Sequence, residues 1–242
     1  EMVIRDWSSD VCSSDLPERL EVTMESADRF KVEVNGHEVE TSAGKWHIDR
    51  SFPVYTITDL VVEGRNVIRA TTDFLWDTEI ENLVLAGDFA VGPESEGFPL
   101  VREPDTLDVG SWTLMGYPFF AGSMIYRLGF DIGKVGSSRW ELDLSGARGS
   151  AFHVTVNGIV VGSIPFPSYR GDITSALKKG SNEVEIEVIG SLRNVLGPHH
   201  HDDEASIGLV GPAAFADEAH WTDSYRLEPY GFIEPPKLIK IG

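Results

Sequence analysis

Three imidazoles and three carboxylates stand side by side in "GPHHHDDE", Gly197–Glu204, the densest set of ligating side chains in the chain. Such groups hold Zn²⁺ or a similar ion when three or four of them converge on one point. Adjacent residues of a strand point to opposite faces, so this run converges only if a tight loop folds it, and no H-x-x-x-H spacing is present. No metal site is assigned. The other chemistry open to the run is hydrogen bonding. His199 and His200, beside Arg193 and Asn194 in "SLRNVLGPHH", are suited to line a sugar pocket; the plain alternative is a polar loop whose histidines are satisfied locally.

A second candidate is aromatic. In "SWTLMGYPFFAGSMIYR", Ser111–Arg127, the rings of Trp112, Tyr117, Phe119 and Phe120 crowd around Gly116, Pro118 and Gly122. Sugar sites pair an aromatic platform, which packs on the C–H face of a pyranose, with side chains that bond the hydroxyls. Strand periodicity breaks at Gly116–Pro118, which puts part of the set on a loop; core and inter-domain packing is the competing reading. Trp112, Tyr117, Phe120, Arg193, Asn194, His199 and His200 thus form the candidate carbohydrate-binding set. Trp76 and Trp221 are weighed in the same way and rank lower.

Glycoside cleavage needs two carboxyls held about 5 to 9 Å apart across the sugar. "TEIEN", Thr78–Asn82, offers Glu79 and Glu81 on one strand face, but with 39 acidic residues such pairs arise by abundance. A solvated face with Ile80 inward accounts for them, and no catalytic residue is assigned. The chain has no G-x-S-x-G elbow, no P-loop, no G-x-G-x-x-G after a strand and no H-E-x-x-H. No cofactor is implied.

The elements that must position these residues come from an internal repeat. "LEVTMESADRFKVEVNGHEV" (Leu20–Val39) parallels "WELDLSGARGSAFHVTVNGIVVG" (Trp140–Gly162). Each is an alternating strand, a polar break and a second alternating strand ending in Asn-Gly, a strong signal for a tight hairpin turn. Downstream, "YTITDLVVEGRNVIRATT" parallels "YRGDITSALKKGSNEVEIEV", with Asn66 and Asn182 opening the next strand. The two asparagines of each copy are 31 and 25 residues apart. No segment keeps a 3.6-residue period, although "SALKKG" suits one helical turn. The pattern is all-β, a sandwich used twice.

Composition agrees with a folded, soluble chain: 242 residues, 41% hydrophobic and 24% charged. A net charge of −19 excludes a general nucleic-acid binder. No apolar run reaches the roughly 18 residues of a membrane span. The N-terminus lacks the order of a signal peptide, and the compartment stays open, with a periplasmic or secreted site slightly favoured.

"DWSSDVCSSDL", Asp6–Leu16, holds the only cysteine, Cys12, and resembles the translation of a sequencing-library adapter codon for codon. Residues 1–16 are therefore set aside as an artefact without regular pairing. In the second copy, Leu107–Ser138 precede the "WELDL" strand; the first copy has only the adapter-like run there, so its leading strands are expected to be missing. The expected organisation is a truncated sandwich over 17–97, a Pro/Gly-rich linker over 98–108, and a complete sandwich with a C-terminal extension over 109–242.

With "V-x-V-N-G" hairpins, "Y-R-G-D-I-T" at Tyr169–Thr174 and G-x-N before a strand, the chain resembles the galactose-binding-like jelly rolls of large glycoside hydrolases. The match is to the sugar-binding domains of family 2 β-glycosidases and α-L-rhamnosidases. It covers most of Leu20–Pro236, and its first copy departs from the motif with "YTITDL". The resemblance implies two tandem jelly rolls forming a non-catalytic C-terminal fragment. Its partners would be the catalytic domain of the same parent chain, which it supports, and carbohydrate as a candidate ligand; nucleic acid and membrane are not expected. A structural or adhesive β-sandwich module without a glycan ligand is the alternative.

Overall fold

The computed structural model describes residues 16–78, 82–202 and 220–242. Cys12 and the adapter-like run through Asp15, Glu79, Glu81, Asp203 and Glu204 lie outside them. The chain divides into two compact units, the first ending at Asp105 and the second beginning at Thr106. Each is an all-β sandwich of antiparallel sheets.

In the first unit, β1 (Leu20–Thr23) is flanked by β4 (Val54–Thr56) and β6 (Val84–Gly87). The facing sheet places β2 (Lys31–Val34) between β3 (His37–Val39) and β5 (Ile68–Thr71). Leu20, Val22, Val32, Val34, Ile57 and Ile68 fill the space between. Period-2 alternation puts Val32 and Val34 inward and Lys31 outward, and each fully buried aliphatic contributes about 1.5–3 kcal/mol. Two short strands, β7 (Ala90–Val91) and β8 (Leu100–Val101), pair at the end of the unit. The stretch expected as a linker from residue 98 therefore contains a strand, and Leu100 joins the first core. A two-residue strand between Pro99 and Arg102 leaves too short a pattern to read. Leu16, grouped with the adapter run on sequence, packs half-buried against the same core.

The second unit repeats the plan with longer strands. One sheet is β14 (Arg170–Asp172), β10 (Arg139–Asp143) and β17 (Lys237–Ile241). The other runs β13 (Ile159–Ile164), β12 (Ala151–Val156), β15 (Gly180–Ile189) and β9 (Ser123–Ile132). A two-residue ladder joins β11 (Ala147–Arg148) to β16 (Gly231–Phe232). Strand β9 pairs with β15 along all of its ten residues, from Ser123↔Ile189 to Ile132↔Gly180. Among the described residues of the first unit, no strand holds the matching place beside β5. "SALKKG" contributes to a single 3₁₀ turn, Thr174–Ala176.

The repeat is reproduced atom for atom in a buried polar frame. Asn35 and Asn157 both take φ 51°, followed by Gly36 at 83° and Gly158 at 78°, as the tight hairpin turn requires. Their side chains also reach inward. Asn35 Nδ2 donates to Asn66 Oδ1 at 2.9 Å and to the Leu60 carbonyl; Asn157 Nδ2 donates to Asn182 Oδ1 at 2.9 Å and to the Ala176 carbonyl. Asn66 and Asn182, 0% and 2% exposed, tie their own G-x-N turns by donating to the carbonyls of Val62 and Gly64, and of Lys178 and Gly180. Thr58 and Thr174 accept from the backbone N–H of Leu20 and Trp140. Gly64 and Gly180, at φ 86° and 90°, allow the turn that aims each asparagine.

The first unit also buries a charge. The Glu21 side chain, 7% exposed, accepts from His47 Nε2 at 2.9 Å and lies 3.2 Å from Arg19 and 3.7 Å from Lys45. Burial pushes this carboxyl up, but the His47 hydrogen bond and the charges of His47, Arg19 and Lys45 outweigh it, so it titrates below the usual carboxylate range. The unfolded chain therefore takes up the proton first. Glu21's contribution is complete above about pH 4.3 and is lost as pH falls through the lower folded-state value. Urea melts over descending pH are expected to show a flatter acid limb for Glu21→Gln than for the wild type. An unchanged acid limb would remove Glu21 from the acid response.

Candidate functional site

The candidate residues sit where β15 leaves its sheet. A Cβ at Gly190 would stand 3.0 Å from the Gly122 carbonyl and 3.3 Å from Trp112, so the strand exits through a closely packed place where a larger residue would press on both. One helical turn follows, α1 (Arg193–Leu196), anchored by Asn194. This side chain is fully buried; its Nδ2 donates to the Glu228 carbonyl at 2.9 Å and its Oδ1 accepts from the Glu228 N–H at 2.8 Å. Asn194 is thus occupied with backbone and holds the turn in place rather than facing a ligand.

The histidine run is then folded against Trp221–Arg226. The N–H groups of Asp202, Thr222 and Arg226 donate to the carbonyls of His220, His200 and His199, with His201 bridged to Trp221. That pairing supplies the tight geometry an isolated strand would lack. His199 Nε2 donates to the Asn194 carbonyl at 2.9 Å, and His200 Nδ1 donates to the Thr222 carbonyl at 3.0 Å. The second bond fixes the tautomer of His200 and leaves its Nε2 as an acceptor.

The rings brought together form a continuous cluster. His200 stacks on Trp221 at 4.8 Å and 25° and meets Tyr225 at 4.5 Å. Phe119 packs edge-on against both Tyr225 at 5.4 Å and His199 at 5.7 Å. Trp221 is 56% exposed, and its Nε1 donates to Asp223 at 3.2 Å. An ion pair between Arg226 and Asp202 closes the base of the pairing. Nε and Nη1 of Arg193 are buried without a hydrogen-bond partner among the described residues.

Sequence reasoning separated this group from the aromatic stretch differently from the fold. His199 and His200 join Phe119, whereas Trp112, Tyr117 and Phe120 form a neighbouring core group. Trp112 is 0% exposed, stacked on Tyr230 at 5.6 Å and edge-on to Phe120 at 5.9 Å, which in turn meets Tyr117 at 5.8 Å. Both faces of the Trp112 indole lie against protein, so it offers no face to a sugar. Tyr225 was not singled out on sequence and Trp221 ranked low. Their only local signal is the polar, aromatic-spaced "HWTDSY"; the histidine partners lie about two dozen positions upstream and Phe119 about a hundred.

Elsewhere, Trp76 is 97% exposed on a turn closed by Thr78 N–H to the Leu75 carbonyl and braced by the Arg29–Asp77 ion pair. Among the described residues, no group of three His, Cys, Asp or Glu side chains is arranged to hold a metal ion, and no helix is long and apolar enough to cross a membrane.

No family model matches the chain, and no curated protein does. Solved structures that resemble it include a Novosphingobium rhamnosidase, with 22% identity and a TM-score of 0.38 over 88% of this chain and 20% of that one. A Bifidobacterium dentium β-glucuronidase has 22% identity and a TM-score of 0.37 over 57% of this chain and 25% of that one. A Streptomyces avermitilis α-L-rhamnosidase has 15% identity and a TM-score of 0.31 over 76% and 21%. The chain spans a quarter or less of the length of these enzymes.

Proposed function

We propose that the chain is a non-catalytic pair of jelly-roll sandwiches belonging to a larger glycoside hydrolase, and that its second unit binds carbohydrate. The hydrolase assignment rests on the repeated V-N-G and G-x-N motifs and on the D-I-T of the second copy. The binding assignment rests on one observation: the Phe119, His199, His200, Trp221 and Tyr225 ring cluster, with its half-exposed indole. A pyranose packs its C–H face on the side of Trp221 that the stacked His200 leaves open, and its hydroxyls reach Asp223 at the edge of the indole. Asn194 and the buried aromatic group around Trp112 hold this platform in place.

The test is affinity electrophoresis of the full chain through gels containing neutral and acidic polysaccharides. Trp221→Ala is expected to weaken retardation about tenfold, the equivalent of one stacked ring. Because Trp221 is exposed, thermal stability should change little. No retardation of the folded wild-type chain on any gel would sink the binding assignment and favour a structural module.

A further inference from the structure

The two units differ at one place that neither the repeat nor the ring cluster accounts for. In the second unit, β13 runs for six residues and brings Ile164 across the end of the sandwich. Gly171 makes room for it, since a Cβ there would stand 2.6 Å from Ile164 Cδ1. Tyr169 then caps the fully buried Phe152, edge to face at 5.0 Å. That end of the second sandwich is plugged.

In the first unit the plug is absent. Counting from the matched asparagines and threonines, Phe30 corresponds to Phe152 and Tyr55 to Gly171. Strand β3 ends at Val39, and the position matching Ile164 is Ser42, whose N–H donates to the Val54 carbonyl and whose hydroxyl bonds that of Thr56, so a small polar side chain crosses where the second unit has an isoleucine. A groove of about 650 Å³ opens over Phe30 and Tyr55, within the range of small-molecule sites. Tyr55 is held beneath it by its hydroxyl, which donates to the Ala27 carbonyl at 3.3 Å.

Four carboxylates, Asp28, Glu38, Glu40 and Asp73, line this groove with two cations, Arg29 and Lys31. Both cations are already engaged: Arg29 with Asp77 at 3.0 Å, and Lys31 with Glu33 and Glu38 at 3.2 Å each. An anionic ligand would meet the surplus of carboxylates. A cationic one would meet Lys31 and Arg29 among them. A neutral polyol satisfies both, because each hydroxyl donates to a carboxylate and accepts from an ammonium or guanidinium.

We infer that this groove of the first unit is a second saccharide site, taking a neutral mono- or disaccharide over the Phe30–Tyr55 floor with Glu40 and Asp73 as hydroxyl acceptors. It is independent of the ring cluster of the second unit.

The experiment is amide chemical-shift mapping of the isotopically labelled full chain with cellobiose, glucuronic acid and glucosamine as probes. Cellobiose is expected to move the amides of Arg29–Val32, Glu38–Thr41 and Thr71–Asp73. Glu40→Ala combined with Asp73→Ala, both exposed, should weaken that response at least about tenfold while leaving the fold intact. Trp221→Ala should leave it unchanged. Shifts confined to residues 199–200 and 221–225 would overturn the groove site and leave the ring-cluster assignment standing. Equal responses to glucuronic acid or glucosamine would overturn the neutral class. Silence at both places would overturn both sites.

Discussion

Asn182→Ala is expected to destabilise the second unit by about 3–4 kcal/mol, far beyond an ordinary polar-to-alanine change. The side chain is 2% exposed and makes four hydrogen bonds. Its Oδ1 accepts from the Lys178 N–H and from Asn157 Nδ2, both at 2.9 Å; its Nδ2 donates to the carbonyls of Lys178 at 2.9 Å and Gly180 at 2.8 Å. Alanine leaves all of these groups without their partner in a place water reaches poorly, and each buried orphan costs about 1–3 kcal/mol, offset by local relaxation. Asn66→Ala should do the same to the first unit, because it holds the matching bonds. Denaturation followed by probes in each unit separates the two: Asn182→Ala moves the second transition, Asn66→Ala the first. A double-mutant cycle on Asn157 and Asn182 should give a coupling of about 1 kcal/mol. A loss below about 1 kcal/mol for Asn182→Ala would show that the frame is incidental to the fold.

This frame also explains why the fold was legible in the sequence. The Asn-Gly and G-x-N signals read as turn chemistry, and turn chemistry is local. Asn35, Asn157, Gly64 and Gly180 all take the positive φ their types suggest. What sequence could not say is that the turn asparagines meet: Asn157 and Asn182 touch only because β12 and β15 pair with Val156 opposite Val184. The alternation of "FHVTV" and "EVEIEV" likewise announced inward faces that the core uses. The site was less legible for the same physical reason. Its rings come from three separate segments, and only the pairing of His199–Asp202 with His220–Arg226 assembles them. No local pattern distinguishes Trp112, which is core, from Trp221, which is surface. Each stands before a threonine in a short stretch without regular alternation, and the difference lies in what packs on each face.

That difference sets the second large effect. Trp112→Ala is expected to cost the second unit about 3–5 kcal/mol and to change carbohydrate binding only through loss of the folded state. The indole is wholly enclosed between Tyr230 and Phe120, and the backbone grips it: the Trp112 N–H donates to the Tyr230 carbonyl at 3.0 Å, and its own carbonyl accepts from Met115 and Tyr117. Two glycines are fitted to its edges. A Cβ on Gly190 would lie 3.3 Å from the ring and one on Gly231 3.6 Å from it, so neighbouring chain cannot easily close over the hole that alanine leaves. A cavity that cannot collapse is the costly kind. Trp112→Phe should cost less, because it keeps most of the packing and removes an indole N–H that has no partner among the described residues. Trp221→Ala gives the opposite signature: weakened retardation on polysaccharide with the melting transition nearly unmoved. If Trp112→Ala instead kept its melting transition and lost retardation, the binding platform would have to be moved from the Trp221 cluster to Trp112.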